Sequence, residues 1–180
     1  MGRPAMQCEM DRLCALATEA RQIRNDERGQ LTSRYAHACP DLQLITSLAS
    51  HPVVELGAGS GYWARLVHDS GGDIAALDNA SRSSPMIGVW YSVEFGDESR
   101  LTEFEDRTLL IVMPGRPGNA DRFVRVWGGE RLVVVTRGGF PFAEDPSFHE
   151  TAISDGGWEM VEDRPIPEAV GTMVVTSWHR

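Results

Sequence analysis

Cysteine is scarce in this sequence, and the cysteines that are present lack any spacing suited to a metal ion. There are three, Cys8, Cys14 and Cys39, and none lies near the glycine-rich stretch described below. A disulfide framework or a zinc site needs cysteines in matched pairs at short, fixed intervals. We therefore predict reduced, structural cysteines and no metal site.

Long apolar runs are also lacking. No stretch reaches the roughly 18 consecutive apolar residues from which a membrane-spanning helix is predicted. Acidic residues occur in the first 11 positions, where a secretory leader requires an apolar segment. These two absences predict a cytoplasmic protein with no membrane partner.

Basic residues are outnumbered by acidic ones. The chain has 17 Lys and Arg against 26 Asp and Glu, a formal net charge of −9. A nucleic-acid-binding surface needs clustered positive charge to neutralise phosphates. The charge balance therefore makes a nucleic-acid substrate unlikely, and nothing in the composition indicates the oligomeric state.

With 180 residues, of which 42% are hydrophobic, the chain is long enough for one compact domain with a real core. Its most informative stretch spans residues 52–78. An apolar run of strand length, residues 53–56, leads into three alternate glycines and then into helical spacing over 62–70. Gly71 and Gly72 predict a left-handed helix end, and a second short strand, 74–77, ends on Asp78. This is a βαβ unit, which predicts a parallel sheet.

Such a turn favours a particular kind of ligand. Glycines allow the backbone to approach a flat polar molecule closely, and the first amides of the following helix are free to donate hydrogen bonds. The carboxylate at the end of the second strand, Asp78, can accept from the two neighbouring hydroxyls of a ribose. An adenosine-type cofactor is the simplest interpretation.

The spacing of the glycines helps to distinguish between possible cofactors. A nicotinamide dinucleotide fingerprint has the spacing Gly-x-Gly-x-x-Gly, but here the third glycine comes one residue earlier. Glu55, two residues before the first glycine, would place a negative charge beside a pyrophosphate. A ligand carrying a sulfonium and an ammonium group suits that charge better.

The stretch Glu55-Leu-Gly57-Ala58-Gly59-Ser-Gly61 resembles motif I of the class I S-adenosylmethionine (SAM)-dependent methyltransferases, and Asp78 matches the ribose-binding acid of that superfamily. The resemblance implies SAM as cofactor and an α/β, Rossmann-like three-layer sandwich. It also implies a mostly parallel seven-stranded sheet whose last strand is antiparallel. We expect residues 51–180 to form this domain and residues 1–50 a helical N-terminal extension that includes a helix over 5–24.

Further elements are predicted from periodicity. Asp41 is placed to cap a short helix whose apolar face carries Leu42, Ile45 and Leu48. Residues 79–85 are predicted to form a polar loop where the superfamily has a second covering helix. The remaining strands are predicted over 89–95, 108–113, 131–136, 158–161 and 172–178, with a helix over 119–127 and residues 164–167 joining the last two strands.

The resemblance adds other candidate cofactor contacts. Tyr35 lies in a segment that, with Pro40, is similar to one that folds over the cofactor in small stand-alone methyltransferases; packing between helices is the alternative. Tyr62 follows the last glycine and is expected at the methionine end of the cofactor. Asp97 follows strand three, where the superfamily contacts adenine, although it is equally suited to cap a helix starting at Glu98. Met113 ends strand four, where amine-methylating relatives have Asp or Asn.

Methyl transfer from a sulfonium needs alignment more than acid–base chemistry, so the catalytic residues stay undetermined. Candidate bases are taken from the residue types able to accept a proton: His37, His149, Glu144, Glu150 and Tyr35. Arg116 could meet an anionic acceptor. The sequence therefore predicts a methyltransferase acting on a small molecule or a peptide. A non-catalytic relative with a binding or regulatory role is the alternative, and a nicotinamide-dependent reductase is less favoured.

Overall fold

The computed structural model describes residues 32, 34–79, 88–114, 118–137, 153–167 and 172–180. Within these ranges the chain forms seven strands, three α-helices and a 3-10 helix. In chain order these are α1 (Leu42–Leu48), β1 (Val53–Leu56), α2 (Tyr62–Asp69), β2 (Ile74–Asp78), β3 (Glu94–Phe95), the 3-10 helix (Glu98–Glu103), β4 (Thr108–Val112), α3 (Asn119–Val126), β5 (Arg131–Arg137), β6 (Glu159–Pro167) and β7 (Thr172–His179).

The strands form one sheet in the order β3-β2-β1-β4-β5-β7-β6. Strands β1 to β5 pair in parallel, whereas β7 is antiparallel to both β5 and β6. The prediction of a mostly parallel seven-stranded sheet with an antiparallel last strand is confirmed.

Two apolar layers cover the sheet, one on each face. Every residue of the central strands β1 and β4 is buried, as expected when helices cover both faces of a parallel sheet. Alternate residues point to opposite faces: Val53 and Leu110 pack with α1 and α2, whereas Val54 and Leu109 pack with α3. This is the predicted three-layer sandwich.

Helix α1 begins at the predicted cap, because the Asp41 carboxylate accepts from the backbone N–H of Gln43 at 3.2 Å. Its buried face consists of Leu44, Ile45 and Leu48. Leu42, which we predicted on that face, is instead 37% exposed because it occupies the first helical position. The helix predicted over 5–24 lies outside the described residues, as do residues 80–85 of the predicted polar loop.

Strand three is much shorter than the predicted 89–95. Only Glu94 and Phe95 pair with β2. The preceding residues leave the sheet because their polar groups bond elsewhere: the Trp90 N–H donates to the Ser60 carbonyl at 2.9 Å, and the Tyr91 hydroxyl donates to the Ile74 carbonyl at 3.2 Å.

The last two strands also differ from prediction. Residues 164–167 are part of β6 and do not form its connection to β7. A proline lacks the N–H that an interior strand must donate, but an edge strand tolerates it. Since β7 lies between β5 and β6, Pro165 sits in the edge strand.

The end of α2 is as predicted. Gly71 adopts a left-handed φ of 91°, and the N–H groups of Gly71 and Gly72 donate to the carbonyls of His68 and Val67. Among the helices that the structure describes, none has the length and apolar character needed to cross a bilayer.

Candidate functional site

The topology of the sheet predicts a crevice between the carboxyl ends of β1 and β4. These neighbouring strands lead into helices on opposite faces of the sheet, β1 into α2 and β4 into α3. When the connections from two neighbouring strands run to opposite faces of an open α/β sheet, a cleft forms beyond the carboxyl ends of those strands. Ligands bind in such clefts. The glycine turn that follows β1 forms one wall of this crevice.

The glycine turn, residues 57–61, is fixed by its own backbone. The N–H groups of Gly57 and Ala58 both donate to the Leu77 carbonyl, at 2.8 and 3.0 Å, and the Gly61 N–H donates to the Ala58 carbonyl at 2.8 Å. All three glycines have a left-handed φ, between 60° and 82°. A side chain at these positions would strain the backbone, which explains why the motif needs glycine.

Asp78 lies directly beside this turn. Its Oδ2 accepts from the Gly59 N–H at 2.9 Å, and the side chain is partly exposed at the end of β2. A carboxylate has about four acceptor positions, and this one lies at the carboxyl end of β2, next to the glycine turn. The structure thus brings together the turn and the acid that the sequence predicted to act together.

Glu55 is buried in β1, two residues before the first glycine of the turn. Burial raises the pKa of Glu55 from its usual 4.5 to about 8, although a hydrogen bond from the backbone of Ala64 lowers it; repulsion from Asp78 raises it further. Its Oε2 has no hydrogen-bond partner within the described part of the chain. This pKa favours the neutral carboxyl near pH 7, in contrast to the negative charge that we expected from the sequence. The sequence could not indicate the shift, because burial depends on the tertiary fold.

Three aromatic rings close over the far end of the glycine turn. Tyr35 stacks on Trp90 with ring centroids 5.2 Å apart, and Tyr62 meets both rings edge-on at 5.2 and 5.3 Å. We call Tyr35, Tyr62 and Trp90 the aromatic cluster. Edge-to-face and offset contacts at this separation are favourable, so the cluster ties three separate segments together.

Hydrogen bonds reinforce these contacts through Ser60. Its hydroxyl donates to the Tyr35 carbonyl at 2.6 Å, and its carbonyl accepts from the Trp90 N–H. The Trp90 indole N–H donates to the Arg34 carbonyl at 2.7 Å. We did not identify Ser60 or Trp90 from the sequence, because neither shows a periodic or motif signal. Their partners lie 25 to 56 positions away in the chain.

Asp97 acts as a helix cap in this structure. Its Oδ1 accepts from the backbone N–H and the hydroxyl of Ser99, at 3.0 and 2.6 Å. These bonds hold the pKa of Asp97 below its usual value. The capping role was the alternative interpretation of Asp97, and its predicted contact with adenine stays a prediction.

Met113 directly follows β4, on the other side of the crevice. Its N–H donates to the Val135 carbonyl at 2.9 Å, and its partly buried side chain packs against the layer that contains α1 and α2. The next carbonyl, that of Pro114, accepts from the Asn119 Nδ2 at 2.6 Å. Asn119 is another residue that sequence reasoning missed, since a first helical residue carries no distinctive pattern.

The candidate bases are only partly described. His37 is exposed, and Tyr35 belongs to the aromatic cluster. His149, Glu144, Glu150 and Arg116 lie outside the described residues. The described ranges contain no group of three His, Cys, Asp or Glu side chains arranged to hold a metal ion.

No protein-family model and no curated protein sequence matches this chain. Solved structures do match it. The methyltransferase domain of bacterial CtHen1-CN shares 14% identity, with 77% of this chain and 96% of that chain aligned at a TM-score of 0.54. Magnesium protoporphyrin IX methyltransferase (ChlM) from Synechocystis PCC 6803, with bound S-adenosylhomocysteine (SAH), shares 9% identity over 92% of this chain and 99% of that chain, at 0.53.

A structure from Streptococcus mutans, assigned provisionally as a SAM-dependent methyltransferase, shares 13% identity over 77% of this chain at a TM-score of 0.52. The aligned region spans about half of that protein, 47% of its length. At these identities the likeness establishes the fold. This chain has the fold of the SAM-dependent methyltransferases.

Proposed function

We propose that this protein is a SAM-dependent methyltransferase that acts on a small molecule or a peptide. The observation that carries the proposal is the Asp78 carboxylate, bonded to Gly59 at the edge of an open crevice in a methyltransferase fold. Asp78 would accept from the ribose hydroxyls, and the glycine turn would support the sulfonium end of the cofactor.

One side of the glycine turn leaves room for a ligand. A Cβ built on Gly57 would meet no atom of the described residues within 4 Å. A ligand can therefore lie against the backbone at Gly57. The proposed cofactor contacts are those predicted from the sequence: Tyr35, Glu55, Gly57, Ala58, Gly59, Gly61, Tyr62, Asp78, Asp97 and Met113.

A nicotinamide dinucleotide fits less well, for a reason that differs from the one inferred from the sequence. Its pyrophosphate would need the free amides at the start of α2. The backbone of Ala64, in the first turn of α2, already bonds to Glu55. Gly61 lies against Tyr91, whose Cβ would be 2.9 Å from a Cβ at Gly61. These contacts leave less room for a pyrophosphate at the start of α2.

When bound, SAM supplies the methyl group on a sulfonium. The protein's own residues position and shield the reacting groups. In this proposal the aromatic cluster lies at the methionine end of the cofactor and shields it from water. Glu55, buried in β1, accepts a hydrogen bond from the backbone of Ala64 in the first turn of α2.

A non-catalytic binding or regulatory role is the second candidate. Amine-methylating relatives have an Asp or Asn at the end of strand four, and this chain has Met113 there. In addition, Asn119 already bonds to the Pro114 carbonyl. Both features disfavour an amine acceptor and leave open a protein that binds the cofactor without transferring its methyl group. We place the protein in the cytoplasm under either candidate function.

Calorimetric titration of the wild-type protein with SAM, SAH, NAD(H) and NADP(H) tests the cofactor. We expect saturable binding of SAM and SAH and no binding of the dinucleotides. The reverse pattern would replace the proposal with a nicotinamide-dependent reductase. A screen of small-molecule and peptide acceptors with methyl-labelled SAM then separates the first candidate from the second, because only an enzyme transfers the label.

A further inference from the structure

Met113 has an unusual backbone conformation. Its φ is 48°, and among the described residues it is the single non-glycine residue with a positive φ. A left-handed conformation brings Cβ close to the following carbonyl oxygen and is unfavourable for a residue such as methionine. Strained residues of this kind persist where the surrounding structure imposes them, and they concentrate at functional sites.

The strained residue lies opposite the glycine turn. Strands β1 and β4 pair with Leu56 beside Ile111. Met113 follows the end of β4 and the glycine turn follows the end of β1, so both lie at the same edge of the sheet. Met113 also packs against the apolar layer that contains Ala58. The strain is therefore located at the candidate site and not at a remote turn.

Two hydrogen bonds hold the backbone in this conformation. The Met113 N–H donates to Val135 in β5 at 2.9 Å, and the Pro114 carbonyl accepts from the Asn119 side chain at 2.6 Å. Asn119 is the first residue of α3, after a glycine cap that provides no side-chain hydrogen bond. The turn after β4 is thus fixed on one side by the sheet and on the other by a helix.

Packing alone does not require this arrangement. The glycine turn shows that the chain uses glycine where it needs a left-handed φ, yet it keeps methionine at position 113. We propose that Met113 and Pro114 form a preset wall of the adenosyl pocket and that Asn119 is the positioning residue that holds this wall. The inference rests on the proposed function. A wall that is ordered before the ligand arrives lowers the entropy cost of binding.

A pair of variants separates the backbone from the side chain. Met113→Ala and Met113→Gly both remove the side chain, but only glycine relieves the strained φ. We expect the glycine variant to unfold at a temperature about 2–4 °C above that of the alanine variant. We also expect the glycine variant to bind SAH about 3- to 10-fold more weakly than the alanine variant, because its wall can relax when the pocket is empty. If Met113 had a purely structural role, the more stable of the two variants would also bind SAH more tightly.

Asn119→Asp tests the positioning residue. The substitution keeps a residue favoured in the first turn of a helix but removes the donor to Pro114. We expect SAH affinity to fall about 3- to 10-fold while helix α3 is retained. Arg125→Gln, which alters an exposed ion pair with Asp121 on the same helix, serves as the control and should leave SAH affinity unchanged.

Equal SAH affinity in the Met113→Gly and Met113→Ala variants would overturn the inference, and so would a glycine variant no more stable than the alanine one. An unchanged affinity in Asn119→Asp would remove Asn119 from the positioning role. In each of these cases, binding of SAH by the wild-type protein would leave the proposed function in place. If the wild-type protein bound neither SAM nor SAH, the inference and the proposed function would fall together.

Discussion

Glycine occurs at both ends of the glycine turn, and at both ends its φ is left-handed. The reason why glycine is needed differs between the two ends. At the open end, Gly57 has a φ of 82° and faces empty space; at the sealed end, Gly61 has a φ of 76° and lies against Tyr91 and Val93. The open end needs the missing side chain for a ligand. The sealed end needs it for packing between segments of the protein itself. The missing side chain therefore makes room for a ligand at one end of the turn and for Tyr91 and Val93 at the other.

Alanine substitution at Gly61 should have the largest effect on stability. A Cβ there would come within 2.9 Å of the Tyr91 Cβ and 3.0 Å of the Val93 Cγ2. We expect backbone strain and overpacking together to lower the free energy of unfolding by about 3 kcal/mol or more. Gly57→Ala, which adds strain alone, should cost about 1–2 kcal/mol. Urea denaturation of both variants measures the difference, and equal losses would contradict the distinction between the two ends.

The buried acid beneath the turn should make stability depend on pH. Unfolded Glu55 loses its proton near pH 4.5, whereas the folded protein holds it until about pH 8. The folded state therefore binds more protons between these values, and the free energy of unfolding falls as the pH rises through this window. We expect Glu55→Gln to remove this decline, which amounts to a few kcal/mol, and to be the more stable form above pH 8. If the free energy of unfolding varied with pH in the same way in the two proteins, this account of Glu55 would be wrong.

The two glycine variants should rank in the opposite order for SAH affinity and for stability. A methyl group at Gly57 projects into the space assigned to the cofactor, so Gly57→Ala should weaken SAH binding about tenfold, or about 1.4 kcal/mol. Gly61→Ala, measured at a temperature where it is folded, should bind SAH more tightly than Gly57→Ala. Calorimetric titration of both variants with SAH measures their affinities. If the variant that loses more stability also loses more affinity, both ends of the turn act only on the fold.

The smallest effect is expected at the sealed end. Trp90→Phe keeps an aromatic ring in the cluster but removes the indole N–H that donates to the Arg34 carbonyl. Loss of one such hydrogen bond should lower the free energy of unfolding by about 1 kcal/mol. Chemical denaturation provides the measurement. No change in stability would mean that this bond does not hold the N-terminal segment to the turn.

Local features of this protein could be predicted from its sequence, and contacts between distant segments could not. The β1–turn–α2–β2 unit and the cap at Asp41 depend on residues close together in the chain, so glycine positions and periodicity were sufficient. The mostly parallel seven-stranded sheet and its antiparallel last strand followed from the resemblance to methyltransferases; the order of the strands was not predicted. Trp90 has its hydrogen-bond partner 56 positions away, and the segment before Glu94 was read as a strand because alternation alone cannot show that it leaves the sheet.

The raised pKa of Glu55 could not be predicted from the sequence for a related reason. A carboxyl group has its ordinary pKa unless the fold buries it, and only the packing of α2 on β1 does so here. The strain at Met113 was likewise invisible, since a methionine after an apolar strand gives no sign of a positive φ. Both features concern the candidate site, and both arise from tertiary structure.

The most direct test of the central claim, that the open end of the turn binds an adenosyl cofactor through Asp78, is the SAH affinity of Asp78→Ala. Charge-assisted hydrogen bonds contribute about 1.5–3 kcal/mol, so we expect a loss of roughly ten- to a hundredfold with the fold intact. Asp69→Ala, which removes an acid on the surface of α2, is the matched control. An analogue of SAH that lacks the ribose 2′-hydroxyl should lose affinity for the wild-type protein but little more for Asp78→Ala. Undiminished SAH binding by Asp78→Ala would contradict the claim.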